Sequence, residues 1–309
     1  MRIIVFILLI GACAAYPSWF HRYKQEHNKK YTLLQEFRIF KKLRQKRRLI
    51  ERHKYEGLEL RIHAGSDIDR KVNRHLASKR RRLSRGNLTR MSPAPPSFDW
   101  RTNEYVTPPK RQGRCGGCYA FAATGHLEFW YKKLTGRLIP LSIQQALDCS
   151  GPESDGCEGG LMEDVYYHSY WNPVAPESFD PWSGHDGKCR VRKRHPFVRV
   201  LSYVSMSSDY NDKVEKHLAD NIYHYGPIPV AVDSTGRAFE FYHNGIVKHT
   251  QCGTEVDHAV LVVGYTPDYW IVKNSWGPSW GQDGYIYLER GHNTCGINTY
   301  ASFATRVSI

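Results

Sequence analysis

The stretch QGRCGGCYAF, residues 112–121, decides how the rest of the chain is interpreted. Apolar residues at helical spacing continue from it to Leu134, and Gly136 is a suitable C-terminal stop, so the sequence predicts a helix that begins at Cys118. A cysteine in the first turn of a helix lies at the positive end of the helix dipole, which favours its thiolate. A buried structural thiol is the usual alternative for a lone cysteine, so further residues must decide.

A thiolate nucleophile needs a base, and the base needs a group that orients it. His258 opens one strand-like stretch, and Asn274 follows another. The imidazole can take the thiol proton, and the amide of Asn274 can accept a hydrogen bond from the other ring nitrogen. These residues predict a catalytic cysteine–histidine pair and outweigh a packed histidine as the explanation.

Helical and strand-like patterns separate along this part of the chain. Further helices are predicted over 142–147 and 163–170. The predicted strands, separated by Gly, Pro and Asn turns, are Val198–Leu201, Ile228–Val232, Ala259–Gly264, Tyr269–Lys273 and Tyr285–Glu289. A helical half before a β-rich half predicts an α+β protein with a helical lobe at about 92–200, a β lobe at about 201–309 and a cleft between them.

The N-terminus has the pattern of a signal peptide over residues 1–15. A short apolar run follows Arg2 and ends in small residues, and it is too short to span a bilayer. A buried N-terminal strand is the alternative. No later stretch is long and apolar enough for a membrane helix, so we expect a protein without a membrane span, in the lysosome or outside the cell.

Charge separates the first third from the rest. Residues 1–91 hold 24 Lys and Arg against 7 Asp and Glu, whereas residues 92–309 hold 20 against 23. The basic excess therefore belongs to one segment, 16–91, whose spacing of Leu33, Phe37 and Leu43 predicts a helix. A secreted chain with this division is not expected to bind nucleic acid. A linker rich in Arg, Pro and Ser follows, with a glycosylation sequon at Asn87.

Seven cysteines remain after the predicted signal peptide, and all lie at or after residue 115. In an oxidising compartment an odd number leaves one cysteine reactive or paired between molecules. Six cysteines allow 15 pairings, and the sequence alone does not choose among them. A zinc site that includes Cys115 and Cys157 is disfavoured because the spacing of metal ligands is missing.

The chain resembles the papain and cathepsin L family in a series of motifs that covers nearly all of residues 98–309 in the family's order. The motifs are DWR at 99–101, VTP at 106–108, the stretch at 112–121, DCS at 148–150, GCEGGLM at 156–162, DHAV at 257–260, GY at 264–265, NSWG at 274–277, GYI at 284–286 and CGI at 295–297. The resemblance implies a papain-like two-lobed fold, with a helical lobe, a β-barrel-like lobe and a cleft between them. It implies a cysteine endopeptidase that acts through a thiolate–imidazolium pair and is made as a precursor, with residues 16–91 as a mainly helical inhibitory propeptide and 92–309 as the mature domain. A catalytically silent binding or matrix protein is the alternative, although such proteins usually lack the nucleophile.

The resemblance also assigns roles to single residues. It implies Cys118 as the nucleophile, His258 as the proton shuttle, Asn274 as the orienting group, Gln112 as an oxyanion donor and Trp276 as a shield for the His258–Asn274 bond. It implies a pocket for the substrate residue two positions upstream of the cleaved bond (P2), whose walls are Gly160, Leu161, Met162, Ala231 and Ala259, with Tyr300 at its floor. A one-residue gap would put Thr299 or Ala301 there instead. The implied disulfides are Cys115–Cys157, Cys149–Cys189 and Cys252–Cys295.

The resemblance further implies no cofactor and no metal, and it names the partners. These are protein and peptide substrates, the chain's own propeptide and cystatin-like inhibitors, and the protein is expected to be a monomer.

Some positions depart from the family pattern. Gly117 replaces the usual Ser or Ala, and Tyr119 stands where Trp is commoner. The spaced propeptide motif is poorly kept, with residues Gln35, Ile39, Leu43, Lys46, Ile50 and Lys54 at its positions, of which Ile50 alone matches. Asp67 fits a second propeptide motif. The insertions of dipeptidase and carboxypeptidase relatives are missing, which favours an open cleft and endopeptidase action.

Overall fold

The computed structural model describes residues 16–71, 73, 76, 92–151, 154–191, 198–207 and 212–309. The predicted signal peptide and the predicted sequon at Asn87 lie outside the described residues. The described helices are α1 (Ser18–Glu26), α2 (Leu33–Arg52), α3 (Cys118–Thr135), α4 (Ile143–Asp148), α5 (Met162–Trp171), α6 (Asp212–Tyr225) and α7 (Arg237–Glu240). The described strands are β1 (Leu58–Leu60), β2 (Phe98–Asp99), β3 (Arg199–Ser207), β4 (Ile228–Val232), β5 (Tyr242–Gly245), β6 (His258–Tyr265), β7 (Tyr269–Lys273), β8 (Tyr285–Glu289) and β9 (Tyr300–Ser308).

The predicted helix at the decisive stretch is confirmed as α3. It begins at Cys118 and ends where Gly136 adopts a left-handed conformation, with φ of 74°, and donates its N–H to Lys132 O at 2.8 Å. Glycine adopts this conformation without steric cost. Helix α4 is capped by Ser142, whose hydroxyl accepts a hydrogen bond from the N–H of Gln145 at 2.9 Å, as expected of an N-cap.

The β lobe is built on an antiparallel sheet with the strand order β3-β9-β4-β6-β7-β8, and β2 pairs with β6. Strands β4, β7 and β8 have the predicted bounds, and β3 and β6 are longer than predicted. Helix α6 and strand β9 were not predicted. We expected a barrel-like β lobe. The described strands form an open sheet, in which β3 and β8 are the edge strands.

Helix α3 is the element that joins the two lobes. His126 on its buried face lies 2.7 Å from Pro227 O and accepts from the N–H of Ala304 at 3.0 Å. Two residues further along α3, the buried carboxylate of Glu128 accepts hydrogen bonds from Thr107 and from the N–H of Leu141. The contacts of His126 hold the middle of α3 against β9 and against the residue that precedes β4.

The N-terminal helices have a small core of their own. Phe20, Tyr23 and Leu43 are buried there, whereas Leu33 on the predicted helical face is 45% exposed. Helix α2 begins with a capping box in which Thr32 and Gln35 exchange hydrogen bonds. Strand β1 pairs antiparallel with β5 of the β lobe, so this segment is attached to the rest of the molecule by backbone pairing. No helix among the described residues is long and apolar enough to cross a membrane.

Candidate active site

Cys118 is the free cysteine of the described part of the chain, and it is buried at the first position of α3. The two residues that precede Cys118 are glycines, and both are closely packed. A Cβ on Gly116 would lie 2.6 Å from the carbonyl oxygen of Cys157, to which the Gly116 N–H donates at 2.8 Å. A Cβ on Gly117 would lie 2.8 Å from the end of the Leu147 side chain, so this position is crowded by a group that can move.

Gln112 is held next to the start of the helix by its own side chain. Its amide nitrogen donates to Cys115 O at 2.9 Å, and its amide oxygen accepts from the hydroxyl of Ser275. Its backbone N–H donates to Ser275 O at 2.8 Å. An amide nitrogen carries two hydrogens, so one remains to donate to a substrate oxygen.

His258 and Asn274 come together because β6 and β7 are antiparallel neighbours. His258 is the first residue of β6 and Asn274 follows the end of β7. The His258 Nε2 atom lies 2.8 Å from Asn274 Oδ1, so Nε2–H donates and Nδ1 is left for another partner. Trp276 lies beside the imidazole, with the two ring centroids 5.1 Å apart.

The residues expected around the P2 pocket are buried. Ala231 and Ala259 are partners in the register of β4 and β6, and Gly160, Leu161 and Met162 lead into α5. Tyr300 is 7% exposed, and its hydroxyl donates to the carboxylate of Glu163.

Glu163 is a site residue that sequence reasoning missed. It directly follows the GCEGGLM motif but was assigned only to a helix start. It is fully buried, and burial raises its pKa to about 7 although the Tyr300 hydroxyl opposes the shift. Its position in the site is shown only by its contact with Tyr300, which lies 137 positions further along the chain.

The six other cysteines form disulfides Cys115–Cys157, Cys149–Cys189 and Cys252–Cys295, the same pairs that the resemblance implies. Because Cys115 and Cys157 are bonded to each other, they do not form the zinc site that was weighed against this pairing.

The comparisons with known proteins agree with this site. A family model described as papain family cysteine protease matches residues 94–305. The chain belongs to the papain family. Digestive cysteine proteinase 2 of Homarus americanus is 33% identical over 97% of this chain and 98% of its own length. Procathepsin L of Rattus norvegicus is 34% identical over 96% of each chain.

Solved structures of papain-family precursors have the same fold. The recombinant stem bromelain precursor has a TM-score of 0.80 at 29% identity and covers 93% of this chain and 97% of its own. Digestive procathepsin L 3 of the Tenebrio molitor larval midgut has a TM-score of 0.79 at 30% identity over 93% and 98%. The expected family, papain-like fold and cysteine peptidase class are therefore confirmed.

Residues before the peptidase part of this papain-family chain cover the cleft. The Asn73 amide nitrogen donates to Gly160 O at 2.8 Å and lies 3.6 Å from Cys118 Sγ, and Gly160 N–H donates to Asn73 Oδ1 at 3.2 Å. The guanidinium of Arg70 lies 4.0 Å from the ring centroid of Trp276. We call Arg70, Lys71, Asn73 and Leu76 the covering segment.

The covered site does not favour the ion pair that the sequence analysis expected. Burial raises the pKa of Cys118 to about 11 and lowers that of His258 to about 4. Thiol and neutral imidazole are therefore the stable forms here, because both charged forms lose their hydration when they are buried.

Proposed function

We propose that the chain is the precursor of an endopeptidase in which Cys118 attacks the peptide carbonyl and His258 carries the proton to the leaving amine. The observation that supports this most is the 2.8 Å bond between His258 Nε2 and Asn274, with the free thiol at the start of α3. Asn274 fixes the ring so that Nδ1 serves the thiol. The amide of Gln112 and the Cys118 N–H stabilise the tetrahedral oxyanion.

The test compares the acid-treated wild-type protein with its Cys118→Ala variant in hydrolysis of a protein substrate. Loss of all activity with an unchanged melting temperature is expected, since the nucleophile is removed and little volume changes. Persisting hydrolysis in the alanine variant would refute the assignment. A second variant, Cys118→Ser, replaces the thiol by a weaker nucleophile and should also be inactive at the same concentrations.

We further propose that residues 16 to about 91 are an inhibitory propeptide and that 92–309 form the mature enzyme. The covering segment supports this, because Asn73 occupies the hydrogen-bonding groups of Gly160 that a substrate backbone would need. Both solved relatives named above are precursors. Purified precursor should be inactive toward a small peptide at neutral pH, and full activity before cleavage would contradict the proposal.

Acid release is proposed to depend on carboxylates and not on the catalytic pair. Uncovering the site lets the proton move from Cys118 to His258, but this transfer takes no proton from solvent, so pH does not drive it. Lys46 bonds Glu240 across the contact at 2.6 Å, and Lys71 contacts Glu158. Within the propeptide, Lys29 pairs with the carboxylate of Asp67 at 2.9 Å.

Asp67 is proposed as the main acid-sensitive group within the propeptide. Burial opposes ionisation of its carboxyl, but hydrogen bonds from Tyr31 at 2.6 Å and Lys29 at 2.9 Å outweigh burial and lower its pKa. A lowered pKa contributes stability above the ordinary value of 3.8, and this contribution is lost as pH falls below it. The propeptide should therefore loosen below about pH 4.

The P2 preference is proposed to be hydrophobic and short, for Leu, Val or Pro over Phe. Tyr300 fills the position where cathepsin L-like enzymes have a small residue, and its bond to Glu163 holds the ring in place. A peptide library varied at P2, cleaved by wild type and Tyr300→Ala, tests this. The variant should gain activity on Phe relative to Leu, and an unchanged ratio would mean that Tyr300 does not limit the pocket.

The destination is proposed to be the lysosome or the extracellular space, since the relatives include a procathepsin L and digestive proteinases. Fractionation of the source tissue with an antibody to the mature domain distinguishes the two, and a cytosolic pool would contradict both.

A further inference from the structure

Two histidines and a glutamate meet on the surface of the β lobe, apart from the residues of the active site. They are His249, Glu289 and His292, and one potential ligand atom of each lies within 4.8 Å of the other two. Neither the catalytic residues nor the P2 pocket use them. Two imidazoles and one carboxylate form a donor set that proteins use to bind zinc.

The three side chains are held close by short contacts. His249 Nδ1 lies 2.9 Å from Glu289 Oε2, and the His249 backbone N–H donates to the same oxygen at 2.9 Å. The rings of His249 and His292 stack with centroids 4.4 Å apart and planes inclined by 23°. The three side chains are therefore neighbours before any ion binds, and His249 and Glu289 are already in contact.

The backbone beneath the cluster is fixed by a disulfide and a strand contact. His249 is three residues before Cys252 and His292 is three residues before Cys295, and these two cysteines are bonded to each other. The two histidine-bearing turns thus share one covalent link at the same offset. Glu289 ends β8, where its N–H donates to Val247 O at 2.9 Å.

We propose that His249, Glu289 and His292 form a surface site for Zn²⁺ or a similar nitrogen-preferring divalent ion. Tetrahedral zinc with bonds of about 2.0–2.2 Å separates neighbouring ligand atoms by about 3.4 Å. The Nδ1–Oε2 pair at 2.9 Å needs to open slightly, and the exposed ring of His292 needs to turn out of the stack so that a ring nitrogen faces the ion. Neutral His249 with its proton on Nε2 leaves Nδ1 free to bind the ion, and water completes the coordination.

Lys248 is the neighbouring group that opposes binding. Its Nζ atom lies 3.1 Å from Glu289 Oε1, the carboxylate oxygen that does not contact His249. The ammonium group of Lys248 therefore competes with the metal ion for Glu289 through Oε1, while Oε2 faces His249. Removing the lysine charge should strengthen metal binding, whereas it would weaken a merely structural ion-pair cluster.

The experiment is calorimetric titration of the metal-free full-length precursor with ZnCl₂ at neutral pH. The precursor carries Cys118→Ala, so that it does not cleave itself and the catalytic thiol does not bind zinc. One Zn²⁺ per chain should bind at the tightest site, and MgCl₂ should give no binding because Mg²⁺ prefers oxygen ligands. His292→Phe retains the ring stacking but removes the donor and should weaken binding by about tenfold or more.

Two further variants complete the test. His185→Ala, at an exposed histidine of the helical lobe, should leave the affinity unchanged, and Lys248→Ala should increase it. Glu289→Gln provides a second loss of a ligand if His292→Phe does not fold. The proposal is overturned if the parent binds no Zn²⁺, if Mg²⁺ binds as well, or if His185→Ala weakens binding as much as His292→Phe does.

Discussion

Replacing Asn73 by alanine should uncover the catalytic cysteine in the intact precursor. The change removes two hydrogen bonds with Gly160, one at 2.8 Å and one at 3.2 Å. A net contribution of about 1 kcal/mol for each bond makes the loss about 2 kcal/mol. Since about 1.4 kcal/mol is a tenfold change in an equilibrium constant, the uncovered fraction should rise about 30-fold.

The assay measures the rate at which iodoacetamide alkylates Cys118 at neutral pH, with the precursor in excess. Mass spectrometry follows the extent of labelling with time. When opening is fast, this rate is proportional to the uncovered fraction. The thiol of the open form is the same in both proteins, so the ratio of rates reports coverage alone. Lys71→Ala is the matched control, since it removes an exposed ion pair of the same segment with Glu158 and should change the rate much less.

Equal alkylation rates in Asn73→Ala and the parent would refute the reasoning, because the two bonds to Gly160 would then contribute nothing to coverage. The melting temperature of Asn73→Ala separates opening from unfolding. If it falls enough to show that the whole protein is destabilised, unfolding explains the faster labelling instead. Both measurements use the same purified precursor.

Three other changes have directions that the structure sets. Asp67→Asn should make release of the propeptide at neutral pH easier and its pH dependence below pH 4 weaker, measured by the pH midpoint of activation; an unchanged midpoint would exclude Asp67 as the trigger. Gly116→Ala should lower the free energy of unfolding by about 1–3 kcal/mol and more than Gly117→Ala, because its Cβ meets a backbone oxygen and not a mobile side chain; equal denaturant midpoints would contradict this. Tyr300→Phe should leave the Glu163 carboxyl unpaired and cost about 1–3 kcal/mol of stability, and a thermal melt identical to the parent's would mean that the bond contributes nothing.

Local patterns were sufficient for much of the fold. Helix α3 and the strands β4, β7 and β8 lie where hydrophobic spacing, a terminal glycine and turn residues predicted them. Helix α6 was missed although Val214, Leu218 and Ile222 are spaced by four residues, which is a helical signal that could have revealed it.

Strand β9 was missed for a different reason. Residues 300–304 are all buried, so they do not show the alternation by which a half-exposed strand is recognised. Its partners β3 and β4 lie far away in the sequence. The contact of Tyr300 with Glu163 depends on the same long-range packing, and no spacing rule predicts it.

The catalytic residues could be named from the sequence, but their electrostatic state could not. The helix dipole and the neighbouring histidine favour a thiolate in an open site. In this precursor Cys118 and His258 are both buried, and burial moves both pKa values the opposite way. The family resemblance implied an inhibitory propeptide, but no sequence pattern indicated that Asn73, outside the helices, would contact Gly160.

The central claim is that one thiol, Cys118, carries out the hydrolysis. The most direct measurement is titration of the acid-activated enzyme with an epoxide inhibitor, with residual peptide hydrolysis and the labelled cysteine determined on the same samples. We expect activity to fall linearly to zero at one inhibitor per active molecule, with the label on Cys118 alone. Full labelling of Cys118 with activity retained, or complete inhibition with the label on another residue, would contradict the account.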